Sequence, residues 1–192
     1  LALPILLLVR PEPLLWLPVI ATHLLFFTSI TLVGRLGNVD WDYLWRSMKI
    51  MIVPKLIGVV GLVILPPVVL VSILYAIILA FALSNILNVH LKGCGKWSER
   101  FFLILGAYAS GTSLVGEPLI VAAYSQHVAI RQLRDTLFVL WFILVCIKMS
   151  ALGILGIPLQ WQLSLLLLPV AGIGHVIGLR AHEWLMSGDD IL

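Results

Sequence analysis

Residues 101–124 read FFLILGAYASGTSLVGEPLIVAAY. Most of this stretch is as apolar as a membrane span. Its middle holds Ser110, Gly111, Thr112, Ser113, Gly116, Glu117 and Pro118, which are small, polar or helix-breaking. Non-helical backbone at bilayer depth persists only where it is buried in protein or lines a water-filled cavity. Broken helices near the midplane are also where secondary transporters place their substrate sites.

The composition puts the rest of the chain in a membrane as well. Of 192 residues, 61% are hydrophobic and 11% charged, against about 45–50% and about 25% in soluble domains. The net charge of +3 does not point to nucleic acid. The basic residues sit in short loops between apolar runs, as the positive-inside bias requires. Cys94 and Cys146 are too few for a disulfide framework or a thiolate metal site. Cys146 lies in an apolar run and reads as packing, Cys94 as an idle loop thiol. No signal peptide is recognisable, and a chain opening at Leu1 inside an apolar segment is expected to lack its true N-terminus.

The expected fold is an all-α integral membrane protein. Full spans are read at residues 14–34, 50–65, 68–87, 136–156 and 163–179, each near the about 20 residues that a helix needs to cross. Residues 1–9 are too short to cross. Thr22, His23, Thr28, Ser29 and Thr31 read as a face turned toward other helices. Trp41 and Trp45 read as a polar loop at the membrane surface, and Pro54 as the start of a span. Residues 180–192 read as a polar tail containing Glu183, Asp189 and Asp190.

Shifting the chain by 120 residues brings Trp41 onto Trp161 and Gly58 onto Gly178, and a shift of 114 brings Pro4 onto Pro118. This weak repeat divides the chain into a first transmembrane repeat (1–87), a basic cytoplasmic connector (88–100) and a second repeat (101–192), both repeats incomplete at their outer ends. Arg35, Arg46 and Lys49, then Lys92, Lys96 and Arg100, then Arg131 and Arg134 all favour the cytoplasm. They can share it only if residues 101–124 enter and leave on one side, as a glycine-rich re-entrant hairpin with Ser110 to Ser113 at its tip. The two repeats are then inverted, as in many transporters. The alternative is one straight span with Arg131 and Arg134 outside.

GAYASGTSLVGEPL at residues 106–119 resembles the glycine-rich GxxSGxxxGxGGPxL motif of the TauE/SafE family, the sulfite and organosulfonate exporters. The basic stretch at 131–136 before a span is similar too. So is Asn38-Val39-Asp40-Trp41 followed by Pro54, Gly58, Gly61 and the Pro66-Pro67 turn. The resemblance covers most of the chain. It implies a permease of the bacterial plasma (inner) membrane, with two homologous halves, that exports small sulfur-containing anions. The family's first glycine-rich motif and its final span have no counterpart here, and Glu117 stands where the family commonly has glycine.

At a hairpin tip, unpaired backbone N–H groups at helix N-termini attract an anion. The substrate-binding candidates are Ser110, Gly111, Thr112, Ser113, Gly116, Glu117, Pro118 and Lys148. The hydroxyls would donate, and the glycines would let backbone approach the ligand or merely let helices pack closely. Glu117 is either a proton-coupling residue or a cap of the helix at Pro118. Either Lys148 or Lys55 could neutralise an anion or pair with Glu117; Lys148, deeper in its span, is the favoured one, whereas Lys55 is expected to snorkel to the surface. His23 and His175 read as helix–helix contacts. No catalytic residue, metal or cofactor is expected, because no enzyme signature is present. The expected partners are the lipid bilayer and a small anionic substrate, with a homo-oligomer or larger membrane complex left open. The competing function is a transporter-like scaffold subunit that does not transport, with haem or pigment binding through an intramembrane histidine as a further variant.

Overall fold

The computed structural model describes residues 2–86, 96–113 and 116–188. Lys92, Cys94, Asp189 and Asp190 lie outside the described residues, as does the expected connector up to residue 95. The described chain is all-α: α1 (Ala2–Val9), α2 (Pro13–Leu32), α3 (Trp41–Ile64), α4 (Pro67–Ile86), α5 (Lys96–Ser113), α6 (Glu117–Tyr124), α7 (Ile130–Ile154) and α8 (Trp161–Gly188), with a 3-10 turn at Leu36–Asn38. Four helices among the described residues are long and apolar enough to cross a membrane: α2, α3, α7 and the Trp161–Gly178 part of α8. Large apolar side chains such as Val53, Ile57, Leu166, Val170 and Ile173 are exposed, a surface that suits lipid. The architecture is that of a multi-pass membrane protein.

Several helices overrun the boundaries that hydropathy suggests. The Asp40 carboxylate accepts a hydrogen bond from the Tyr43 N–H at 3.0 Å and so caps α3. The helix therefore begins at Trp41, which makes the expected tryptophan loop helical and places Pro54 inside α3 rather than at its start. α5 begins at Lys96, and α8 runs through the expected polar tail to Gly188. Hydropathy marks where lipid contact ends, whereas capping marks where a helix ends.

Of the expected polar face of α2, Thr28 is buried and Ser29 exposed, and most of its hydroxyls bond within the helix. Thr22, Ser29 and Thr31 each donate to a carbonyl one turn back in their own helix, at 2.8, 2.6 and 2.9 Å. Such back-bonding satisfies a hydroxyl where water is absent. His23 is the residue that reaches across, donating from Nε2 to the Ser164 carbonyl of α8 at 2.8 Å. His175 of α8 stacks on Phe27 of α2 at 4.6 Å.

The chain alternates between two ends. At the Asp40 end, Leu44 of α3, Leu103 of α5, Tyr124 of α6 and Leu137 of α7 share one apolar cluster. At the Pro66 end, Leu3 of α1, Leu17 of α2, Leu62 of α3 and Leu152 of α7 share another. α2 and α7 are therefore antiparallel, and each ends on a glycine with positive φ, Gly34 at +82° and Gly156 at +73°. After α7 the Ile157 N–H reaches the Leu152 carbonyl at 3.0 Å, a hydrogen bond of the glycine C-cap type.

Candidate functional site

α3 and α5 meet backbone to backbone. A Cβ on Gly111 would lie 2.6 Å from the Lys55 carbonyl oxygen and 2.9 Å from the Gly58 Cα, and a Cβ on Gly58 would overlap the Tyr108 carbonyl. Within the α5–α6 pair, a Cβ on Gly116 would overlap the Gly106 carbonyl and lie 2.7 Å from the Ser110 nitrogen. Gly111 and Gly116 are thus required by packing, and the first of these joints sets the site beside it.

Lys55 lies three residues before Gly58 on α3, and Ser110 precedes Gly111 on α5. The close approach lets the Lys55 Nζ donate to the Ser110 Oγ at 2.7 Å and to the Ser110 carbonyl at 3.0 Å. Lys148 of α7 donates to the same carbonyl at 3.5 Å. Both lysines are 0% exposed. Lys55 does not reach the surface as expected: it is fully buried, and its ammonium is held by Ser110 of α5. Burying an ammonium group carries an effective penalty of several kcal/mol unless it is paired and hydrogen-bonded. Here the bonds go to the last turn of α5, whose end carries the negative pole of the helix dipole. The sequence does contain a signal for Lys55. Once the Asp40 cap starts α3 at Trp41, Lys55 falls in the inner part of the helix rather than at its beginning.

Ser110 to Ser113 do not form an unwound tip. They are the last turn of α5, and α6 starts at Glu117. Thr112 and Ser113 are buried, and both donate their hydroxyls to the Ala109 carbonyl, at 3.0 and 2.9 Å. They are therefore engaged with their own helix, leaving Ser110 as the hydroxyl that meets a cation. Gly116 stands at the N-cap of α6 without a side-chain capping bond, and Glu117 and Pro118 open the helix. A proline is tolerated there because the first turn leaves its N–H groups unpaired anyway. Glu117 does not cap the helix, and its side chain is exposed. It interacts with Lys55 through space without coming within 4.0 Å as an ion pair. The fold therefore gathers Ser110, Gly111, Lys148 and Lys55, the lysine expected at the surface, and sets Glu117 within electrostatic range of Lys55.

The outer ends of α5 and α6 are tied together at the Asp40 end. Glu99, in the first turn of α5, pairs with His127 just beyond α6 at 3.1 Å and accepts from the Tyr43 hydroxyl at 2.8 Å. The Tyr43 ring stacks on His127 and meets Tyr124 edge-on, and Tyr124 hydrogen-bonds Ser47. The first turn of α5 and the residues just beyond α6 thus lie together at the Asp40 end.

A groove of about 480 Å³ on the outer face of α3 and α7 is lined by Leu56, Phe142, Cys146 and Ile154 among others. It is apolar and does not include the lysine cluster. Compared with protein-family models, curated proteins and solved structures, the chain matches none.

Proposed function

We propose that this chain is a permease of the TauE/SafE type that exports a small anion, a sulfur oxyanion or organosulfonate, across a bacterial inner membrane by proton-coupled alternating access. The observation that carries this reading is the break between α5 and α6 beside two buried lysines. A helix interrupted in the interior, with cations gathered at the interruption, is chemistry suited to holding an anion away from water.

In this reading α5 and α6 form a re-entrant hairpin. Arg35, Arg46, Lys49, Arg131 and Arg134 cluster with its outer ends, against Arg10 toward the other end, which makes the Asp40 end cytoplasmic. The element order supports inverted repeats. The eight-residue α1 precedes a long α2, a positive-φ glycine and a helix begun by Trp41. The eight-residue α6 precedes a long α7, a positive-φ glycine and a helix begun by Trp161. The packing exchanges in the same way: α1 on α2 matches α6 on α7, and α3 on α7 matches α8 on α2. Glu117 serves as the proton-coupling carboxyl.

The test is flux. Purified full-length chain in sealed vesicles loaded with sulfite should release it faster than protein-free vesicles, with a rate that depends on the pH gradient. No release of sulfite or of an organosulfonate under either gradient removes the reading. The scaffold alternative is favoured by one observation, the close packing of Gly58, Gly111 and the fully buried lysines, and it predicts no flux.

A further inference from the structure

Lys55 of α3 and Lys148 of α7 bring two ammonium groups to one oxygen atom, the carbonyl of Ser110. Both side chains are 0% exposed. An ammonium group carries three donors. The bonds to Ser110 use two donors of Lys55 and, at the limit of bonding length, one of Lys148. Among the described residues no carboxylate lies within 4.0 Å of either nitrogen. Glu117 acts on Lys55 through space alone. A buried cation needs a counter-charge, and a carbonyl group supplies only a dipole. Two lysine nitrogens converging on one oxygen match the donor set that a small anion needs, with the Ser110 carbonyl oxygen where an anion's atom would sit.

We propose that Lys55 and Lys148 form a two-lysine seat for a small inorganic anion, and that the anion and the Ser110 carbonyl compete for the same donors. Occupancy is then coupled to the hairpin. An anion in the seat draws the lysines from the last turn of α5, which loses its cationic cap next to the break before α6. Lys55 becomes a binding residue equal to Lys148, and Ser110 acts through its backbone rather than its hydroxyl. The seat deepens the permease reading and depends on it only for the anion being cargo.

The experiment uses the full chain in detergent at constant ionic strength, with sulfite and chloride as probes and thermal unfolding as readout. A ligand that binds the folded state raises Tm in a saturable way. At least one probe should do so. The half-saturating concentration should rise about tenfold or more in Lys55→Met and in Lys148→Met, as expected for loss of a charged hydrogen-bonding partner. Ser110→Ala, which keeps the carbonyl, should retain the shift. If Lys55→Met does not fold, Lys148→Met carries the comparison, since its bond to Ser110 is the longer one. No saturable shift with either probe, or a shift unchanged in the lysine variants, overturns the seat. Lysine-dependent binding without flux in vesicles keeps the seat and removes the permease reading. Flux that both lysine variants leave unchanged does the reverse.

Discussion

Gly58 of α3 and Gly111 of α5 touch through their backbones, and this contact is what brings Lys55 onto Ser110. A Cβ at Gly111 would meet the Lys55 carbonyl and the Gly58 Cα, both backbone atoms that cannot rotate away. The lysine cluster is therefore a consequence of two missing side chains. A helix separation wider by one methyl group would take the Lys55 ammonium away from the end of α5.

Gly111→Ala should destabilise the fold by about 1–3 kcal/mol through overpacking. Gly61→Ala, one turn further along α3, is the control. Its new Cβ would find its nearest neighbour at 3.7 Å, an ordinary contact, and alanine gains up to about 1 kcal/mol in helix propensity. Heat or denaturant unfolding in detergent should place the two variants on opposite sides of the parent. Equal stabilities would show that α3 and α5 are not in backbone contact.

A second prediction concerns the Asp40 end. The buried Asp135 carboxylate accepts from Asn38 Nδ2 at 2.8 Å through Oδ2, while its Oδ1 has no hydrogen-bond partner. Arg35 stands 3.7 Å from that Oδ1, within range as a charge though not as a hydrogen bond. Asn38→Ala should cost about 1–3 kcal/mol, because it leaves a buried charge with one distant partner. Asn38→Ala and Asp135→Ala should couple in a double-mutant cycle. Additive losses would place the stabilisation elsewhere.

The proposed re-entrant arrangement can be tested by sidedness. In a background with Cys94 and Cys146 replaced by serine, cysteines at Trp97 and at Ser125 should both react with a membrane-impermeant maleimide from the same side. A cysteine at Pro11 should react from the other. Both reporters on the α5–α6 pair are exposed. Labelling of 97 and 125 from opposite sides would make residues 101–124 a straight span.

Glu117→Gln keeps the shape of the first turn of α6 and removes the titratable proton. Vesicle flux should persist in this variant and lose its dependence on the pH gradient. An unchanged pH dependence moves proton coupling away from Glu117, whereas complete loss of flux at every pH makes the carboxylate part of the binding site instead.

The free thiol of Cys146 offers a smaller check on the outer face. Cys146 lines the apolar groove on α3 and α7, so in a Cys94→Ser background it should react with a lipid-soluble maleimide and resist a water-soluble one. Equal reaction with both would show that this face meets water.

Composition alone determined that the chain is a set of apolar helices, because the cost of unpaired backbone in lipid leaves a chain of this hydropathy few other forms. The start of a new helix at Glu117 was legible too, because Gly116, Glu117 and Pro118 together favour a helix beginning there. The ends of the helices were not legible from hydropathy. Asp40 carries α3 back to Trp41 by a single capping bond, and local capping is independent of apolar content. Where the hydroxyls of Thr112 and Ser113 point was also hidden, since a carbonyl one turn back competes with any ligand for them. Lys55 is the sharpest case. A lysine near the start of an apolar run has a stem long enough to reach water, and its burial follows from how closely α5 approaches α3 at Gly58 and Gly111. The residue types for the site stand in the sequence, but the approach of α3 to α5 decides which of them meet.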